Sequence, residues 1–317
     1  SGPLTMMRST ISGSTAFGDH PTNGTAAYGG GAFSYGVDLI ESTISGNRAI
    51  GTHNPPLSHW EIGGGLFVAR NGGRIDRSTI ANNYAIRFAG GVTQEGDLLL
   101  RNSTVSGNAT RDDDGGGVRV RQVTSITIEN STIVDNQAGS FGGGLSFTSN
   151  ALPSTISSTI IAGNRSGGGG RDTDSVGTLS ISGANNLVQE NGDRLALPAD
   201  TLRIDPFVQP LGWYGGPTQT HALREDSPAI DAGNNVGANV TDQRGNGFAR
   251  VFNAAIDIGA FEFQERAGTG SPIAVALPIS ATWASLLMAT LLAIVGAWHQ
   301  RRGRLLPRER TVNRRHR

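Results

Sequence analysis

Short bursts of alternating hydrophobic and polar residues run through the first two thirds of this chain. Leu98 and Leu100 alternate with Leu99 and Arg101, Val118 and Val120 with Arg119 and Arg121, Ile126 and Ile128 with Thr127 and Glu129. Alternation of period two marks a strand with one buried face, and no burst extends into ten residues of helical periodicity. The bursts are punctuated by one recurring phrase: Ser9–Ser14, Ser42–Asn47, Ser78–Asn83, Ser103–Asn108, Ser131–Asn136 and Thr159–Asn164. Glycine clusters fall between the phrases, and their last members at Gly65, Gly91, Gly117 and Gly144 are 26, 26 and 27 residues apart. A fixed period of this size predicts one supersecondary unit stacked on itself.

If each period is one coil, residues at equal phase lie above one another. Asn47, Asn83, Asn108, Asn136 and Asn164 then form a ladder of side-chain amides at a corner, a place that suits asparagine because it tolerates left-handed backbone. Ile44, Ile80, Val105, Ile133 and Ile161 form the matching column inside. The expected fold is all-β, a right-handed parallel β-helix over residues 1–190 in which each coil buries its face against its neighbours. A disordered glycine-rich chain is the competing reading of 46 glycines and 16% charged residues, but disorder would not hold Ile and Asn in register over five repeats. The first repeat has Ser14 in place of Asn, and the longer step from Gly31 to Gly65 predicts a protruding loop around His53–His59.

The pairing of S-T-I-x-x-N with G-G-G-[LV] resembles the repeats of polymorphic outer-membrane proteins and related right-handed β-helix surface proteins. After Asn191 a different series follows: Asp205-Pro206, Gly215-Gly216-Pro217-Thr218, Thr220-His221-Ala222-Leu223, Ser227–Gly233, Asp242-Gln243-Arg244-Gly245 and Asp257–Glu262. This series resembles the C-terminal signature of choice-of-anchor Q domain proteins, bacterial surface proteins for which the resemblance implies no activity. In physical terms residues 191–265 are expected to cap the open end of the solenoid, with Asp231, Asp242, Arg244, Arg250 and Asp257 tying loops by charged hydrogen bonds. His221, Arg224 and Asp231 also admit an acid/base reading, which depends on their mutual reach.

Residues 266–272 read as a linker. Residues 273–298 contain no charged residue, and roughly 20 apolar residues cross a bilayer core. Eight Arg against one Glu give the following segment, 299–317, a charge of +7, while 18 Arg against 25 acids give the rest −7. The overall charge of zero therefore conceals two oppositely charged parts. A C-terminal transmembrane helix with a cytoplasmic Arg tail and an outside β-helix is the expectation; a buried core helix with a solvated tail is the alternative. The Arg run adjoins the apolar span directly, so no nucleic-acid partner is expected. The ending resembles an IPTL-type bacterial sorting signal, with the spacing of Pro278 to Trp283 retained and the serine displaced by one position. That resemblance implies a sorting or processing enzyme as partner, and a plain membrane anchor stays open beside it. The start at Ser1 has no initiator Met, basic n-region or apolar h-region, so a signal peptide and further coils are expected upstream. No Cys and no Lys occur, which excludes disulfides and a catalytic thiol.

Chemistry is sparse. Asp112, Asp113 and Asp114 form the only acidic cluster in the repeats, read as a solvated corner or a weak cation site with calcium as candidate. His53–Trp60 in the long insertion is a packed or ligand-binding loop. Aromatic residues make up 6% of the chain and look scattered, with no sugar-stacking stripe. The leading expectation is a cell-surface protein with an adhesion, ligand-binding or structural role and no cofactor, its partners a surface polysaccharide or a host protein. A calcium-dependent lyase of acidic polysaccharide is the alternative. An autotransporter passenger is less favoured, because no barrel strands are evident after the cap.

Overall fold

The computed structural model describes residues 2–18, 26–51, 60–121, 125–148, 154–235 and 237–264. The expected helix over 273–298, Pro278 and Trp283 of the sorting motif, and His53–His59 all lie outside the described residues. Among those described, no helix is long and apolar enough to cross a membrane. Residues Ser1–Gln264 make one compact unit.

Every coil contributes short strands to four parallel sheets. The first sheet stacks Leu4–Met7, Val37–Ile40, Gly73–Asp76, Leu98–Arg101, Ile126–Glu129 and Ser154–Ser157. The second stacks the recurring phrases, from Thr10–Ser12 through Thr43–Ser45, Thr79–Ala81, Thr104–Ser106, Thr132–Val134 and Ile160–Ala162 to Leu187–Val188. The third is narrow, including Tyr84–Ala85 and Ala109–Thr110, and the fourth runs from Ala32–Ser34 through Leu66–Val68, Val92–Glu95, Val118–Arg121 and Leu145–Phe147 to Thr173–Ser175. Registers are strict: Ile44, Ile80, Val105, Ile133 and Ile161 are successive partners in the second sheet. Leu39, Ile75, Leu100, Ile128 and Ile156 are successive partners in the first. Both columns are fully buried in one core, each side chain stabilising the stack by roughly 1.5–3 kcal/mol.

Corners close the coil by left-handed residues. One column comprises Gly13, Gly46, Asn82, Gly107, Asp135 and Gly163, all at positive φ. Another, between the first two sheets, is Arg8, Glu41, Arg77, Asn102, Asn130 and Ser158, with φ between 45° and 48°. Both columns follow from stacking, since each coil must turn at the same place.

The glycine clusters have a different purpose. A Cβ on Gly117 would lie 3.0 Å from the Asn136 amide and 2.6 Å from the Gly144 carbonyl oxygen; Gly65 and Gly144 face Asn83 and Asn164 in the same way. The middle glycines, such as Gly116, lie against backbone of the opposite wall. The lumen is thus pinched shut where the asparagine corner meets the glycine wall, and only glycine permits that approach.

Parallel pairing continues beyond residue 190: Leu195–Ala196 pairs with Leu179–Ser180, and Leu202 bridges to Leu187. The segment from there to Gln264 departs from the expected end cap, because it runs back along the outer face of the second sheet. Ala222, Leu223, Ala229, Ile258 and Phe261 pack on Val134, Ile160, Ala162 and Leu187. Gln243 reaches into that sheet, accepting from Thr104 Oγ1 (2.6 Å) and donating to Thr79 Oγ1 (3.1 Å). The second sheet carries small Thr, Ser, Ala and Val side chains outward until Ile160 and Leu187 at its far end, leaving a face that a second layer covers.

Candidate functional site

The asparagine ladder is continuous. Asn47, Asn83, Asn108 and Asn136 each donate through Nδ2 to the Oδ1 of the next asparagine at 2.9–3.0 Å, ending on Asn164. The same oxygens accept the backbone N–H of the preceding asparagine. Asp172 terminates the ladder, its Oδ1 accepting both Asn164 N and Nδ2 at 2.9 Å, and burial raises its carboxyl from 3.8 to about 6. A second ladder, unassigned from sequence, joins the serines that open the phrases: Ser42 N donates to Ser78 Oγ, Ser78 N to Ser103 Oγ and Ser103 N to Ser131 Oγ. Both ladders satisfy backbone at corners and offer nothing to a ligand.

The residues of the cap signature come together inside the flank. Arg244 grips Asp242 with Nε and Nη2 (2.8 and 2.7 Å) and lies 3.8 Å from the ring centroids of both Phe248 and Phe261. Asp257 accepts the backbone N–H groups of Asp231 and Phe263. Glu262 accepts those of Phe252 and Asp257, beside the fully buried Arg250. Burial raises Glu262 to about 8 against the pull of those donors and of Arg250. Gly216 packs on the Arg244 backbone, exposed Pro217 follows it, and Asp205 caps the N–H of Phe207. The acid/base trio is dispersed: His221 bonds Ser106 Oγ (2.9 Å) and Gln209 O (2.7 Å), Arg224 pairs with Asp226, and Asp231 accepts from Ala255. Burial lowers the pKa of His221, as suits a ring holding the flank to the second sheet.

At the acidic corner, Asp112 pairs with Arg111 and Asp113 with Arg87, while half-buried Asp114 has its pKa raised, chiefly by burial. The three carboxylates do not converge. No group of three His, Cys, Asp or Glu side chains suited to a metal ion occurs among the described residues.

The fourth sheet presents what the sequence concealed. Its outward column is Phe33, Phe67, Thr93, Arg119, Ser146 and Asp174, read from the registers. Tyr28 and Tyr35 join the aromatic end: Tyr28 is 5.8 Å from Phe33 and 5.5 Å from Phe67, and Tyr35 meets Phe33 edge-on at 5.6 Å. These rings, with Ile62, Ala69, Arg70, Glu95 and Arg121, line a groove of about 330 Å³. Tyr28 and Phe33 are 42% and 44% exposed, which is unusual for clustered rings; such clustered exposure marks an interaction surface. At the rim Arg121 pairs with Glu95 at 3.2 Å. Exposed ring faces beside paired charged hydrogen-bonding groups can take the apolar face of a sugar and its hydroxyls together. Register thus gathers rings that look scattered along the chain: Phe33 and Phe67 are neighbours, with Tyr28 and Tyr35 beside them.

No curated protein and no solved structure matches the chain. A family model described as "Right handed beta helix region" matches residues 5–191. Together with four parallel sheets wound in coils over the same residues, that match assigns the chain to the right-handed β-helix family.

Proposed function

We propose that this protein is a bacterial cell-surface β-helix rod that binds glycan on the outward face of its fourth sheet, without catalysis. The observation that carries the reading is the groove floored by Tyr28, Phe33 and Phe67, where two exposed rings, Tyr28 and Phe33, lie together over the buried Phe67. The family match supports a surface or polysaccharide-related role. The apolar stretch 273–298 and the Arg-rich segment after it support attachment to the membrane, before or without processing of the tail. The resemblance to choice-of-anchor Q proteins and to a sorting signal supports the same placement.

A glycan array probed with the full chain tests this reading. Binding to a defined glycan class, weakened about tenfold or more by Phe33→Ala in a variant that still folds, is the expected result. Binding that ignores Phe33→Ala would remove the groove from the account. Release of unsaturated sugar products during incubation would replace the binding role with a lyase.

A further inference from the structure

Four arginines, Arg70, Arg87, Arg119 and Arg121, stand in the groove and the surface beneath it against three acids, Glu95, Asp113 and Asp114. Glu95 is engaged by Arg121, and Asp113 by Arg87. Arg70 lines the groove with its guanidinium 5.9 Å from the Tyr35 ring centroid, and no salt bridge reaches it among the described residues. Its backbone is left-handed at φ 83°, a conformation that costs a non-glycine residue free energy and persists where the surroundings enforce it. Here Asn71 N donates to Tyr35 O at 2.7 Å, and Gly96 packs so close that a Cβ would lie 2.3 Å from the Arg70 carbonyl oxygen. The chain is bent to place Arg70 at this wall.

Farther along the same outward column stands Arg119, two strand spacings or roughly 10 Å from Phe67. Arg119 is only 7% exposed, and its Nε and Nη1 have no hydrogen-bond acceptor. Its guanidinium lies 4.2 Å from the Phe88 ring centroid, which stabilises a cation without neutralising it. The charged groups around it are Asp114, Asp113, Glu95 and Arg121, and none forms a salt bridge with it among the described residues. Although burial lowers its pKa to about 10, it stays protonated at neutral pH. Desolvated guanidinium N–H groups without acceptors are costly, and a charge in a low-dielectric wall focuses field into the adjoining groove.

From this geometry we infer that the groove selects acidic glycans, a sugar ring lying on Tyr28 and Phe33 with its anionic group on Arg70, in the positive field that Arg119 supplies. The inference rests on the glycan-binding reading and narrows it to sugars bearing a carboxylate or a sulfate. Arg70 is the contacting residue, and Arg119 acts through the field.

The test is calorimetric titration of the full chain with a galacturonate tetrasaccharide, a sulfated galactan tetrasaccharide and a neutral galactan tetrasaccharide. At least one acidic ligand should bind about tenfold or more tightly than the neutral one, and 0.5 M NaCl should erase that advantage. Whichever acid is preferred identifies carboxylate or sulfate as the anionic group. Arg70→Gln should remove the preference by weakening acidic binding more than neutral binding, with Arg119→Met reducing the preference partway; far-UV circular dichroism and melting check that both variants fold. Equal affinity for neutral and acidic ligands overturns the inference while sparing the groove. An equal loss for both ligands in Arg70→Gln overturns it too. No binding of any of the three in the wild type, together with a blank glycan array, removes the glycan reading itself.

Discussion

The coils and the flank are held by opposite means. In the coils, the ladder and core residues meet their own counterparts one turn away, as Asn meets Asn and Ile meets Ile. In the flank, order rests on unlike pairs: Arg244 with Asp242, Arg250 beside Glu262, Gln243 with Thr104. Like-with-like stacking extends indefinitely and gives a rod, whereas unlike pairs close on themselves and stop. The flank covers the outward second sheet, where small side chains leave a flat surface. It does not pack on the fourth sheet, whose aromatic end leaves Phe33 and the neighbouring Tyr28 exposed while Phe67 and Arg119 are buried beside them. The open aromatic end is therefore the part furnished with chemistry.

The sharpest way to break the ladder side of the comparison is Asn136→Leu. This change removes the acceptor of Asn108 N and Nδ2 and the donor to Val105 O, Val134 O and Asn164 Oδ1. With several buried backbone groups left unsatisfied, the loss should be about 4 kcal/mol or more in denaturant unfolding. A loss below about 1 kcal/mol would mean that water or relaxation replaces the ladder.

Changes in pH separate the two regions more finely. Asp172 is raised from 3.8 to about 6 and Glu262 from 4.5 to about 8, both through burial. A carboxyl whose folded pKa exceeds its unfolded value binds its proton more tightly in the folded state, so its stabilisation is full at low pH and lost as pH rises. Coil-end stability should fall between about pH 4 and 6, by up to about 3 kcal/mol, and flank stability should keep falling toward pH 8. Hydrogen exchange corrected for intrinsic rates resolves the two windows. Asp172→Asn should abolish the first window alone; both windows appearing in both regions would show that the regions unfold as one.

Gly117→Ala should cost about 2 kcal/mol, since its Cβ meets the Gly144 carbonyl and the Asn136 amide. Gly36→Ala, whose nearest neighbour is 3.4 Å away, should lie within about 0.5 kcal/mol of wild type. Equal melting temperatures for the two variants would argue against the pinched lumen. Phe33→Ala should cost about 1 kcal/mol, for a ring already 44% exposed, although its effect on glycan affinity is expected to be large.

Legibility in the sequence follows the same division. Asn83, Asn108 and Asn136 could be read as a ladder because a repeated phase gives each side chain one determined neighbour. The corner at Arg8, Glu41, Arg77, Asn102, Asn130 and Ser158 could not, since none is a glycine and only stacking forces the shared positive φ. The flank signature was visible as a series of motifs, but its course along the second sheet was not. Gln243 and Thr104 are 139 residues apart, and no periodicity relates them. Phe33 and Phe67 looked scattered because the long step from Gly31 to Gly65 separates them by 34 positions while the register makes them neighbours. Arg70 carried no mark at all, its role arising from a turn and the rings around it.

The most direct test of the account is hydrogen exchange of the full chain, with and without a saturating oligosaccharide taken from the glycan array. The groove reading predicts protection at residues 26–35, 62–70, 92–95 and 118–121, on one face of consecutive coils. Protection confined to the flank around 205–227, with the fourth sheet unchanged, would contradict it.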